Sequence, residues 1–405
     1  MAMSRGMPIR TFVICAAAIA LAFLIVDNRA VLFGDMSRGQ VIGRDLHPFW
    51  YGATLVWQGH AATLFDPHLF VPAYQAYMGE ETGFTPFPYP PTALVFYAPL
   101  GLLPYIPALV LWLLATLLAF LFVVGRACPD PKQAMIALLL SPAVLTNFAG
   151  GQNGCLSGLL LCGGLLALKR HPTLAGIAFG LLTYKPQLGL VVPFILLAGG
   201  YYRTIIVAVL TCALVVGGTI LLLGIDPWSL YFTQSAPLQR QLMEAGEGPF
   251  TLMAPSTFMA GRLWSLPLSI DYALQIVVAI GAIGVAVWAF RQDASHPWKA
   301  AVAMIAALLA TPYSFTYDLC VVAAAQVLIV QNAARPFGAF ARLVHATVWL
   351  VPIVMIPFSI AGVPIAPLSL AALLYVVAAT DAMPRVLQAA RSPASPERQN
   401  RSRTN

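Results

Sequence analysis

The chain has 405 residues, 60% of them hydrophobic and 9% charged, with 22 Lys and Arg against 15 Asp and Glu for a formal net charge of +7. Soluble domains carry roughly 25% charged residues, so a soluble globular protein is excluded and a polytopic, all-α membrane protein is the class. The apolar runs are continuous, not alternating, which argues against a membrane β-barrel.

The first apolar run, Phe12 to Val26, follows Arg5 and Arg10 and has no clear small-residue cleavage site after it, so it reads as a retained first helix and not as a signal. Helices are expected at about 9–26, 106–125, 134–149, 154–168, 173–184, 187–201, 204–224, 271–290, 299–314, 317–332, 341–359 and 363–381. That makes about 12 transmembrane helices, each at or near the roughly 20 residues a crossing needs. Residues 91–103 are apolar but short, and are expected to form a short or re-entrant helix feeding the next span through Pro104 and Pro107. Two large loops, about 27–90 and 225–270, lie on one side. Residues 1–390 form a single domain, and the polar tail 391–405 is expected to be disordered. The six cysteines show no CxxC spacing and read as small apolar packing residues.

Charge fixes the orientation. With the N-terminus in the cytoplasm, inner segments hold Arg5, Arg10, Arg126, Lys132, Lys169, Arg170, Arg203, Arg291, Lys299, Arg335, Arg342 and the tail arginines. Of the acids, only Asp130, Asp293, Asp381 and Glu397 fall inside. This is the bias of the positive-inside rule, and it speaks against a basic patch for nucleic acid. Both large loops are then extracytoplasmic and both termini cytoplasmic, which in a bacterium means the inner membrane.

The polar groups gather at the outer side. Gly43-Arg44-Asp45-Leu46-His47 precedes a stretch in which Phe49, Trp50, Ala53, Val56 and Trp57 share helical spacing, as in an amphipathic helix in the interface. Asp45 is placed to be its N-cap, a structural role that stands beside any chemical one. Phe87-Pro88-Tyr89-Pro90-Pro91 reads as a rigid extended strip. Gly150-Gly151-Gln152-Asn153-Gly154 is a polar turn between two helices, Tyr184-Lys185-Pro186 places a lysine at the outer side, and Thr311 to Asp318 brings an acid there. Ionisable residues at membrane depth are costly and mark functional sites, although Lys185 could also snorkel to headgroups. His47, His60 and His68 match no standard metal motif, and no P-loop or GxGxxG occurs.

In this order and spacing, Asp45 with Tyr51, Gly59 and Leu64-Phe65-Asp66, then Phe87-Pro88-Tyr89-Pro90-Pro91, Gly151-Gln152-Asn153, Lys185-Pro186 and Thr311-Pro312-Tyr313-Ser314-Phe315 resemble the polyprenyl-phosphate-sugar-dependent glycosyltransferases of family 87, within the GT-C membrane superfamily. The resemblance implies a GT-C-type bundle whose active site faces outward. It implies Asp45 as catalytic base and a lipid-linked monophosphosugar as donor, with mannose the family's usual sugar and a glycolipid or glycan hydroxyl as acceptor. Arg44, His47, Tyr51, Tyr89, Gln152, Asn153, Lys185, Tyr317 and Asp318 are the expected substrate-binding residues, with no metal and no cofactor. There is one departure. Many relatives carry a histidine where this chain has Tyr317 and Asp318.

The chemistry fits those residue types. A hydroxyl nucleophile must lose its proton, and one carboxylate base is worth roughly 10²–10⁴-fold. The departing phosphate needs a positive group, for which Lys185 is the first candidate and Arg44 the second. The other reading is a transporter or flippase of lipid-linked sugars, but such proteins favour charges near the midplane and repeated halves, and neither is visible here.

Overall fold

The structure is a computed structural model that describes residues 9–27, 42–79, 86–333 and 336–380. Among the described residues every regular element is helical and no strand occurs. The tail 391–405 and residues 28–41 and 80–85 of loop 27–90 lie outside them.

All twelve expected segments fall on helices, but prolines and glycines cut several short. By length and composition, Tyr105–Arg126, Tyr202–Leu223, Leu268–Arg291 and Ala339–Ile360 can each cross a membrane. A fifth span is reached if Pro131–Leu139 and Pro142–Gly150 are one bent span. The expectation of twelve full crossings is not met on this measure. His296–Ala310, for example, has 15 residues, which at 1.5 Å per residue rises about 22 Å.

The single helix expected over 134–149 is broken by 54°. Pro142 has no N–H to offer the preceding turn, and Ser141 caps the new helix by accepting from the Val144 N–H at 3.3 Å. Asp130 with Pro131 opens the first half in the same way. Pro193 similarly falls in the first turn of Val192–Ala198, separating it from Pro186–Gly189 within the expected 187–201.

The core is built on His296–Ala310, in which every residue from Trp298 to Ala310 is buried. Leu268–Arg291, Cys320–Asn332, Ile365–Thr380 and Gly154–Ala167 pack round it. Tyr202–Leu223 stands at the edge and leaves Leu214, Leu221 and Leu222 at least three-quarters exposed. Water would not tolerate such a surface, whereas lipid does.

Residues 91–103 form no span. Pro91–Ala93, Leu94–Tyr97 and Ala98–Leu102 are three short helical turns, ending at an extended Leu103 before Tyr105–Arg126. They pack on His47–Trp57 so closely that a Cβ on Gly101 would lie 2.6 Å from the Ala53 carbonyl carbon. The Trp50 and Trp57 indoles donate to the carbonyls of Leu103 and Ala98 at 2.9 and 2.7 Å. Loop 225–270 is also helical, and Ser235 joins it to the first loop by donating to the Phe65 carbonyl at 2.8 Å.

Candidate active site

The turn 150–154 is where the separate polar motifs meet. Helix Pro142–Gly150 ends in Gly151, whose φ of +69° is left-handed and suits glycine. A Cβ on Gly151 would sit 2.6 Å from the Gly43 oxygen, so this turn presses against the loop that carries Asp45. On its far side, a Cβ on Gly154 would overlap the backbone carbonyl oxygen of Tyr317. Asn147 ties the turn internally, its Oδ1 accepting from the Gly154 N–H at 2.6 Å. The Trp112 indole donates to the Gln152 carbonyl at 3.2 Å.

Asp45 lies on the exposed side of this turn. Its backbone N–H donates to the Gly150 carbonyl at 3.0 Å, and its Oδ2 accepts from Gln152 Nε2 at 2.7 Å. Arg44 Nε stands 3.6 Å from Asp45 Oδ1, and the two side chains are 39% and 37% exposed. The loop is held from below by the Tyr105 hydroxyl, which donates to the carbonyls of Ile42 and Gly43. Asp45 does not cap the following helix as the sequence suggested. Leu46 is the N-cap residue, no side chain caps there, and Pro48 in the first turn lowers the need for one.

Beneath the turn is a second, buried tier. Asn153 Nδ2 donates to the hydroxyls of Tyr89 and Tyr97 at 2.6 and 3.0 Å, and Asn153 Oδ1 accepts from Lys185 Nζ at 3.1 Å. Lys185 is ion-paired with Asp318 at 2.5 Å, with side-chain exposures of 1% and 0%. The other Asp318 oxygen accepts from the Phe315 N–H at 3.0 Å. The Lys185 ammonium also lies 4.7 Å from the Tyr317 ring centre. Lys185 therefore stands behind the site, paired with Asp318 and not with Asp45.

His47 and Tyr51 belong to a third group, an aromatic cluster beside the turn. His47 Nδ1 and the Tyr74 hydroxyl are 3.0 Å apart, and its ring meets Tyr105 edge-on at 4.5 Å. Burial pushes the His47 imidazole down to about 4, so it is neutral at neutral pH. Tyr51, half-buried, donates to the Ala73 carbonyl at 3.3 Å.

Sequence reasoning missed Tyr97, which lay in an apolar run and carried no polar neighbour to mark it. It also missed Tyr105, Tyr74 and the pair of Tyr184 with Ser157, whose hydroxyls are 2.6 Å apart. Tyr184 sits beside Lys185 in a stretch already singled out, so that signal was present. His60 and His68 join none of these groups. His68 only lends its backbone N–H to the Asp66 cap.

The family model of glycosyltransferase family 87 matches residues 87–312. That stretch includes Tyr89, the turn 150–154 and Lys185, and ends before Asp318; Asp45 precedes it. No curated protein and no solved structure matches the chain. The match covers more than half of the 405 residues and its helices are those of a membrane protein, so the chain belongs to glycosyltransferase family 87.

Proposed function

We propose that this glycosyltransferase moves a hexose, mannose by the usage of its family, from a polyprenyl-phosphate sugar to a hydroxyl of a glycolipid or glycan. The observation that carries the reading is the state of Asp45, a carboxylate fixed by Gln152 and by its own backbone yet open to an acceptor. In a single displacement Asp45 takes the proton from the acceptor hydroxyl as its oxygen bonds to the anomeric carbon. The bond from that carbon to the phosphate oxygen breaks, polyprenyl phosphate leaves with the electron pair, and the anomeric centre inverts.

Among the described residues, Arg44 is the cation best placed to meet the departing phosphate, since it shares the open face with Asp45, whereas Lys185 is enclosed. The reading puts this face outside the cytoplasmic membrane of a bacterium, with both termini inside, in accord with the bias of Lys and Arg toward the inner segments. The shorter helices would complete a GT-C-type bundle of about twelve crossings, the carrier's chain lying between them.

Purified protein given a labelled polyprenyl-phosphate sugar and candidate acceptors tests the reading. Transfer without any nucleotide sugar is the expected result. Movement of the donor across the bilayer with no new glycosidic bond would replace it with a flippase.

A further inference from the structure

Gln152 and Asn153 are neighbours in the chain that point to different tiers. Gln152 holds the Asp45 carboxylate at the open face, and Asn153 holds Lys185 in the interior. Asn153 has both amide hydrogens on Tyr89 and Tyr97 and its oxygen on Lys185, so its side chain has no freedom to turn. The turn itself is wedged between Gly43 and Tyr317.

Lys185 is equally committed. Its ammonium donates to Asn153 and Asp318 and faces the Tyr317 ring, and Asp318 offsets its charge. A phosphate could reach this ammonium only by displacing a carboxylate from a site with about 1% exposure. A buried pair of this kind contributes little net stability but fixes geometry, and losing either partner leaves an uncompensated charge.

We propose that Lys185 and Asp318 are a positioning pair that sets the orientation of Asp45 through Asn153 and Gln152, and that they do not bind substrate. The proposal rests on the reading of Asp45 as general base. It assigns to the Thr311–Asp318 stretch the task of bracing the catalytic turn from behind.

Asn153→Ala cuts the link while leaving the ion pair in place. In the full chain, kcat for transfer is expected to fall about 10-fold with the donor KM within about twofold of wild type, since misplacement of a reacting group acts on the chemical step. Adding Lys185→Gln with Asp318→Asn, which removes both charges together, is expected to cause little further loss, because residues acting through one link are not additive. A donor KM raised about 10-fold, losses that multiply, or an unchanged kcat would overturn the proposal. If Asn153→Ala does not give folded protein, Asn153→Ser carries the same expectations.

Carbodiimide labelling of the Asp45 carboxylate, read by mass spectrometry, reports the coupling without turnover. Labelling is expected to be faster in Asn153→Ala than in wild type, and equal rates would overturn the proposal. A labelling difference in protein that transfers no sugar would count against the reading of function and leave the coupling standing.

Discussion

Gln152 donates its side-chain amide to the carboxylate of Asp45 at 2.7 Å, across 107 residues of sequence. The contact fixes the direction of one carboxylate oxygen of Asp45, while Arg44 stands 3.6 Å from the other. Gln152→Ala is expected to lower kcat about 10-fold, because a base that is not held in place samples unproductive geometry. Steady-state kinetics check this, and a variant with wild-type kcat would show that Asp45 needs no such support.

The glycines of the turn make a second prediction. A Cβ at Gly154 would overlap the Tyr317 carbonyl oxygen, a backbone atom with no rotamer to adjust. At Gly151 both the left-handed backbone and the Gly43 carbonyl stand against a side chain. Gly154→Ala is expected to destabilise the protein by about 1–3 kcal/mol, the range for overpacking a close contact. Thermal unfolding in detergent reads it, and Gly163→Ala, inside the helix Gly154–Ala167 with its nearest atom 3.5 Å away, is the control expected to hold or slightly raise the midpoint, since alanine favours a helix interior over glycine.

His47 gives a pH dependence. Its imidazole titrates near 4 in the fold and near 6.5 in the open chain, because burial disfavours the charged form. The unfolded chain therefore binds more protons in this window. The stability tied to His47 is complete above about 6.5 and is lost as the pH falls toward 4. Discounted for partial solvation, it amounts to about 1–2 kcal/mol. Unfolding midpoints from pH 7 down to 4 should fall more steeply in wild type than in His47→Gln, and parallel profiles would contradict this.

The sequence carried the helices well because hydropathy is a local signal. Each of the twelve apolar runs lies on a helix, and the short run at 91–103 is short in the fold. The break at Pro142 was also written locally, as Ser141 followed by proline, but continuous hydropathy across it hid the bend. What the sequence could not convey is pairing at a distance. Lys185 and Asp318 lie 133 residues apart and each looked like an isolated charge at a helix end, so Lys185 suggested a free cation. Asp45 before a proline-started helix looked like a cap for the same reason, since its true partner, Gln152, is remote.

The central claim is that Asp45 removes the proton from the acceptor. The most direct measurement is the rate of sugar transfer from a labelled polyprenyl-phosphate donor by Asp45→Asn, an isosteric change that keeps an oxygen for Gln152 and removes the base. A fall of at least about 100-fold in kcat in folded protein is the expected result. Transfer at the wild-type rate in that variant would contradict the assignment.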